Sequence, residues 1–86
     1  MRVYVPTPLR SYTQKAGQVE QAGSSLREVL DGLDQRFPGL RFRIIDEQDG
    51  IREHIKLFVN ADQASKIDVP VADRDDLHII CALSGG

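Results

Sequence analysis

Apolar residues recur along this chain with two different periods. Between positions 26 and 37, Leu26, Val29, Leu30, Leu33 and Phe37 fall at helical spacing, which gathers them on one face. Ser24 or Ser25 can cap that helix by accepting a bond from a free first-turn N–H, and with Ser25 as the cap, Glu28 completes a capping box. Pro38-Gly39 ends it. Elsewhere the period is two. Residues 2–6 predict a first strand with Val3 and Val5 inward, stopped by Pro6 and Pro8, after which residues 9–13 turn the chain and Leu9 tucks under the sheet. Residues 53–59 alternate, with Ile55, Leu57 and Val59 inward and His54, Lys56 and Phe58 outward. Residues 77–83 form the most apolar strand, with Leu77, Ile79, Cys81 and Leu83 on its inner face.

Weaker patterns fill the gaps. Residues 18–22, after the turn signal at Gly17, read as a polar edge strand. Residues 40–51 are less regular, and Leu40, Phe42, Ile44 and Ile45 fit either a short helical turn or a short extended piece. Residues 46–50 form a solvated loop, residues 60–62 a turn, residues 66–71 a short strand broken by Pro70, and residues 73–76 a charged turn. The simplest packing of this order is an α+β domain, with one main helix on one face of a sheet of four to five strands. The first and last strands, both apolar, belong side by side at the sheet centre.

Length and charge narrow the function. With 86 residues the chain is expected to form one domain spanning 1–86. Such a chain buries about 60–65% of its unfolded surface, which leaves little room for a deep substrate pocket and argues against a self-sufficient enzyme. Eleven basic and 13 acidic residues give a formal charge of -2, with no cationic excess to neutralise nucleic-acid phosphates. No apolar run approaches the roughly 20 residues that span a bilayer, and the start lacks a secretory pattern. Cys81 is the sole cysteine, so no internal disulfide is possible, and a reducing, cytoplasmic setting is expected.

The sequence ends in Ser84-Gly85-Gly86 directly after its most apolar strand. Glycine lacks a Cβ, so residues 84–86 are expected to form a narrow, flexible tail. Frayed termini are common, but a core strand projecting a diglycine puts a carboxylate on a thin lever, and the Gly86 carboxylate is the expected working group.

Other candidates carry less. His54 and His78 lack partners at zinc-ligand spacing. Asp73, Asp75 and Asp76 lack the twelve-residue calcium-loop pattern, so no metal site is expected. Cys81 has no legible base, and its phase turns it inward, where cysteine behaves as a small apolar residue. Phe58 and Ile80 fall on the outward phase of strands expected to be neighbours, and clustered exposed apolar residues mark partner surfaces. The chain contains neither G-x-x-x-x-G-K-[ST] nor G-x-G-x-x-G, so no nucleotide site of its own is expected.

Taken together, the opening strand 2–5, the helix 25–37, Leu57-Phe58-Val59-Asn60, the acidic turn 72–76 and the terminal Gly85-Gly86 resemble the ubiquitin-like, β-grasp sulfur carriers. These include the small subunit of molybdopterin synthase, the thiamine sulfur carrier, and relatives in cysteine, methionine and siderophore biosynthesis. The resemblance covers essentially the whole chain. The segment Ala82-Leu83-Ser84 departs from the proline- or valine-containing stretch of many carriers, and residues 41–52 match nothing in the family pattern. The resemblance implies a carrier and not an enzyme. A partner adenylating enzyme, using ATP and magnesium, activates the Gly86 carboxylate. A sulfur donor leaves a thiocarboxylate there, and a biosynthetic enzyme accepts the sulfur. It implies no cofactor bound by this chain. The alternatives are a ubiquitin-like modifier joined to proteins through Gly86, and a β-grasp interaction module with an incidental tail.

Overall fold

The structure is a computed structural model that describes residues 1–82. Ser84, Gly85 and Gly86, on which the tail expectation rests, and the inward position expected of Leu83, lie outside the described residues. Five strands form one mixed sheet in the order β2-β1-β5-β3-β4. They are β1 (Arg2–Tyr4), β2 (Gln18–Glu20), β3 (Ile55–Val59), β4 (Asp62–Ala64) and β5 (Asp76–Cys81). β5 runs parallel to β1, with Val3 opposite Leu77 and Tyr4 opposite His78. The other pairings, β1 with β2, β5 with β3 and β3 with β4, are antiparallel. The first and last strands are therefore central neighbours, as their composition predicts.

The period-two pattern sorts the faces. Val3, Ile55, Leu57, Leu77 and Ile79 are buried and join Leu26, Val29, Leu30 and Leu33 of α1 (Leu26–Arg36) in one core. Ser25 caps α1, its Oγ accepting from the Glu28 N–H at 3.2 Å. The Glu28 carboxylate accepts from the Ser24 N–H and hydroxyl at 3.0 and 2.9 Å, so both candidate serines act, and the return half of the capping box is displaced by one residue. Those bonds hold the Glu28 carboxyl below its ordinary pKa. Phe37 is the C-cap rather than a helical residue, and it packs partly buried against the core. Gly39, at φ +95, starts a second helix, α2 (Leu40–Ile44), a turn that a side-chain-bearing residue adopts only with strain. The ambiguous segment is thus helical at its start, burying Leu40 and Ile44.

One predicted strand is misplaced. Residues 66–71 are not in the sheet, and β4 is the polar trio Asp62–Ala64. Val59 opposite Asp62 leaves Asn60 and Ala61 as a tight hairpin, with Asn60 at φ +56. Residues 66–71 instead run along the start of α1. The Leu26 and Arg27 N–H groups donate to the Val69 and Ile67 carbonyls, each at 3.0 Å, which satisfies first-turn donors that have no partner within the helix. Ile67 seals the core beneath them, at 1% exposure.

The two acidic turns are also more organised than a solvated reading implies. Asp49 takes Arg27 and Arg41, which also meet Asp68 and Asp31. Asp75 accepts from the Ala72 N–H and the Asn60 amide, while the Asn60 Oδ1 accepts from the Asp76 N–H, tying the β3–β4 hairpin to the start of β5.

Candidate functional site

β5 determines where the chain leaves the sheet. It is paired on both edges, and the Ala82 N–H donates to the His54 carbonyl at 2.7 Å, extending its contact with the β3 side past Cys81. His54 lies in the turn before β3, exposed, rather than on the strand itself. Residues 83–86 follow in sequence.

Cys81 is partly buried against the core, opposite Ile55. Burial pushes its thiol above the ordinary range, which keeps it protonated at neutral pH and a weak nucleophile. It lines a cleft of about 310 Å³ together with Leu9, Tyr12, Arg43 and His54. No buried base holds it ready for chemistry among the described residues.

The outer face of the sheet carries a row of ring side chains. Tyr4 and His78 stack with centroids 4.6 Å apart and planes 2° from parallel, and Phe58 stands directly across from His78 on β3. Ile80, opposite Lys56, lies one step further along β5 and is a diagonal neighbour of Phe58. Ile80 is 44% exposed, while Phe58 is only partly so. The two residues expected on this face are on it, but His78 and Tyr4 complete the row. Alternation alone puts Tyr4 and His78 on the outward phase; the strand register that brings them together is what a single-strand reading lacks.

Residues 41–52 supply a second exposed region. Phe42, 55% exposed on α2, lies under the Arg52 guanidinium at 4.5 Å, and the Arg43 guanidinium lies 5.8 Å from the Tyr12 ring. Of the expected acidic turn, Asp75 serves structure: its bonds to Ala72 and Asn60 hold its carboxyl below the ordinary range. Among the described residues no group of three or more His, Cys, Asp or Glu is placed to hold a metal, and no helix is long and apolar enough to cross a membrane.

A mixed sheet with its first and last strands parallel at the centre, one main helix across one face and a diglycine after the last strand defines a β-grasp protein of the ubiquitin-like class. The ThiS family model matches residues 3–86. The sulfur carrier protein CysO of Mycobacterium tuberculosis (strain ATCC 25618 / H37Rv) is 27% identical over 89 residues, spanning 98% of this chain and 96% of that protein. A chain of the Amycolatopsis orientalis BexX/CysO complex superposes with a TM-score of 0.91 at 30% identity, over 99% of this chain and 98% of that one. The small archaeal modifier protein 1 of Methanosarcina acetivorans shares the fold, with a TM-score of 0.80 at 20% identity over 99% and 94% of the two chains. The chain belongs to the ThiS family, among the ubiquitin-like sulfur carriers.

Proposed function

We propose that this protein is a sulfur carrier whose Gly86 carboxylate is adenylated by a partner enzyme and then converted to a thiocarboxylate for biosynthesis. One observation carries the reading: the central strand β5, paired on both edges, is followed in sequence by Ala82-Leu83-Ser84-Gly85-Gly86, within a family match that runs to residue 86. A carboxylate resists nucleophilic attack until one of its oxygens becomes part of a good leaving group. Attack of that oxygen on the α-phosphate of ATP expels pyrophosphate and leaves an acyl-adenylate. Hydrosulfide then attacks the acyl carbon, AMP departs and the S–H proton is lost, which leaves the thiocarboxylate; where the donor is a persulfide, the acyl disulfide first formed is cleaved by a reducing thiol. Glycines at 85 and 86 leave a thread narrow enough to enter another protein's active site. The chain is the substrate in this cycle and supplies no catalytic group. Phe58 and Ile80, with the Tyr4–His78 stack beside them, form the docking face for the adenylating enzyme. The CysO relatives, and the complex in which one of them is found, support a carrier with protein partners.

The test is intact-mass spectrometry after incubation with the adenylating enzyme, MgATP and a sulfur donor. The wild-type protein gains the mass difference of one oxygen replaced by sulfur, located on the last peptide. Deleting Gly86 moves the reactive carbon back by about 3.5 Å. Reacting atoms must meet within about 3–3.5 Å, so the shortened protein stays unloaded while remaining folded. Equal loading of both forms would overturn the proposal. Isopeptide-linked adducts in lysate, with no thiocarboxylate, would instead establish a protein modifier.

A further inference from the structure

Two guanidinium groups on the α2 side are each fixed by a hydrogen bond and have no acid partner among the described residues. Arg43 donates its Nε–H to the Tyr12 hydroxyl at 2.6 Å, and Arg52 donates its Nε–H to the Phe42 carbonyl, also at 2.6 Å. Each also lies over an aromatic ring, Tyr12 and Phe42 respectively. Among the described residues, no carboxylate comes within ion-pair distance of either, and their terminal N–H groups have no acceptor. Arg27 and Arg41 contrast with them: Asp31, Asp49 and Asp68 neutralise both. Each guanidinium is thus pre-oriented by its Nε–H bond and the neighbouring ring, and its free fork matches the two oxygens of a carboxylate. The cleft that Arg43 lines opens between Tyr12, His54 and Cys81, giving this otherwise convex corner a recess of side-chain size.

We propose that this corner, formed by Arg43 on Tyr12 and Arg52 on Phe42, docks an acidic segment of a partner protein. Partner carboxylates fill the two free forks, and Phe42, more than half exposed beside Arg52, provides an apolar contact. Arginine and aromatic side chains are the types enriched where interfaces draw their energy. Charge argues for a protein rather than a nucleic acid. Asp46, Glu47 and Glu53 flank the two arginines in sequence, and the whole chain carries -2. A nucleic-acid duplex bears a charge about every 1.7 Å along its axis and meets repulsion along its length, whereas an acidic segment needs only one or two carboxylates in register. The proposal does not depend on the chemistry assigned to Gly86, because its test reads binding and not sulfur loading.

The test is an NMR titration of the full chain, uniformly labelled with nitrogen-15, with a deca-glutamate peptide as the probe. Shifts are expected to centre on Tyr12, Phe42, Arg43, Arg52 and His54, and to shrink as salt rises. Arg43→Gln with Arg52→Gln should weaken binding at least about tenfold, since hydrogen bonds to charged groups carry that scale of energy. Arg43→Lys with Arg52→Lys keeps the charge but removes the fork, and should lose most of the affinity. Lys66→Gln with Arg74→Gln makes the same charge change elsewhere, and should stay within about twofold of wild type by the small worth of exposed charges. Dispersed spectra establish that each variant is folded. Equal weakening by the remote pair, full affinity in the lysine pair, shifts centred on the outer sheet face, or tighter binding of a deca-thymidine oligonucleotide would each overturn the proposal.

Discussion

Leu30→Ala measures how firmly α1 is packed on the sheet. Leu30 is completely buried, within a cluster that also holds Leu26, Leu33, Leu57 and Leu77. Truncating a buried leucine costs about 2–5 kcal/mol, depending on how far the site collapses. Here one wall is a sheet paired across five strands, which cannot close inward easily, so about 3 kcal/mol is expected. At about 0.05–0.15 kcal/mol per residue, a chain of this length has about 4–13 kcal/mol in total. The variant therefore loses roughly a quarter to three quarters of its stability, and its Tm falls by about 12–24 °C. Ile80→Ala is the control: at 44% exposure its loss should be about 1 kcal/mol. Urea denaturation followed by far-ultraviolet circular dichroism gives both numbers. If Leu30→Ala costs no more than Ile80→Ala, the helix is not seated as described.

Cys81→Ala should lower stability modestly and leave sulfur loading intact, and the wild-type thiol should alkylate slowly at neutral pH; loss of loading in a folded variant would give Cys81 a chemical role. Phe58→Ser combined with Ile80→Ser should weaken capture by the adenylating enzyme without unfolding the free protein, and undiminished pull-down would place the docking face elsewhere. Asp49, Asp68 and Asp75 are held below their ordinary pKa, the first two chiefly by hydrogen bonds from arginine and Asp75 by the Ala72 N–H. Lowered folded-state values mean that this stability is present above about pH 4 and is lost as pH falls through the folded values. Asp75→Asn should therefore destabilise the protein at pH 7 and flatten its acid-side decline; an unchanged slope in pH-dependent urea midpoints would contradict this.

What could be read from the residues follows from where burial is decided. The α1 stripe and the β1, β3 and β5 alternation each bury one face, so period and composition were sufficient there. β4 is not legible in the sequence because Asp62-Gln63-Ala64 has no apolar face to show; it is a strand because Asn60 turns the chain back on β3. Residues 66–71 are apolar enough to resemble a strand, yet their carbonyls cap α1 and Ile67 covers the core, a tertiary use that no local pattern states. Between positions 40 and 45, Leu40, Phe42, Ile44 and Ile45 are equal candidates for burial in the sequence, and only the packed structure leaves Phe42 outside. On the outer face, the phase of Phe58 and Ile80 is legible, but placing His78 and Tyr4 beside them depends on the parallel pairing of two strands whose partners, Tyr4 and His78, lie 74 positions apart in sequence.

The placement of β5 bears on how the protein is made. β1 with β2 and β3 with β4 are two separate ribbons until β5 enters between them, and neither small ribbon is stable alone in water. Because β5 is read out after β1 to β4, the sheet cannot close during synthesis until Asp76–Cys81 has emerged. A product of early termination or of cleavage ahead of Asp76 keeps both ribbons but lacks the strand that joins them. Such a fragment stays open to proteases. The strand that completes the fold precedes Gly85-Gly86 in sequence, so a chain cut short ahead of it loses the diglycine together with the closed sheet.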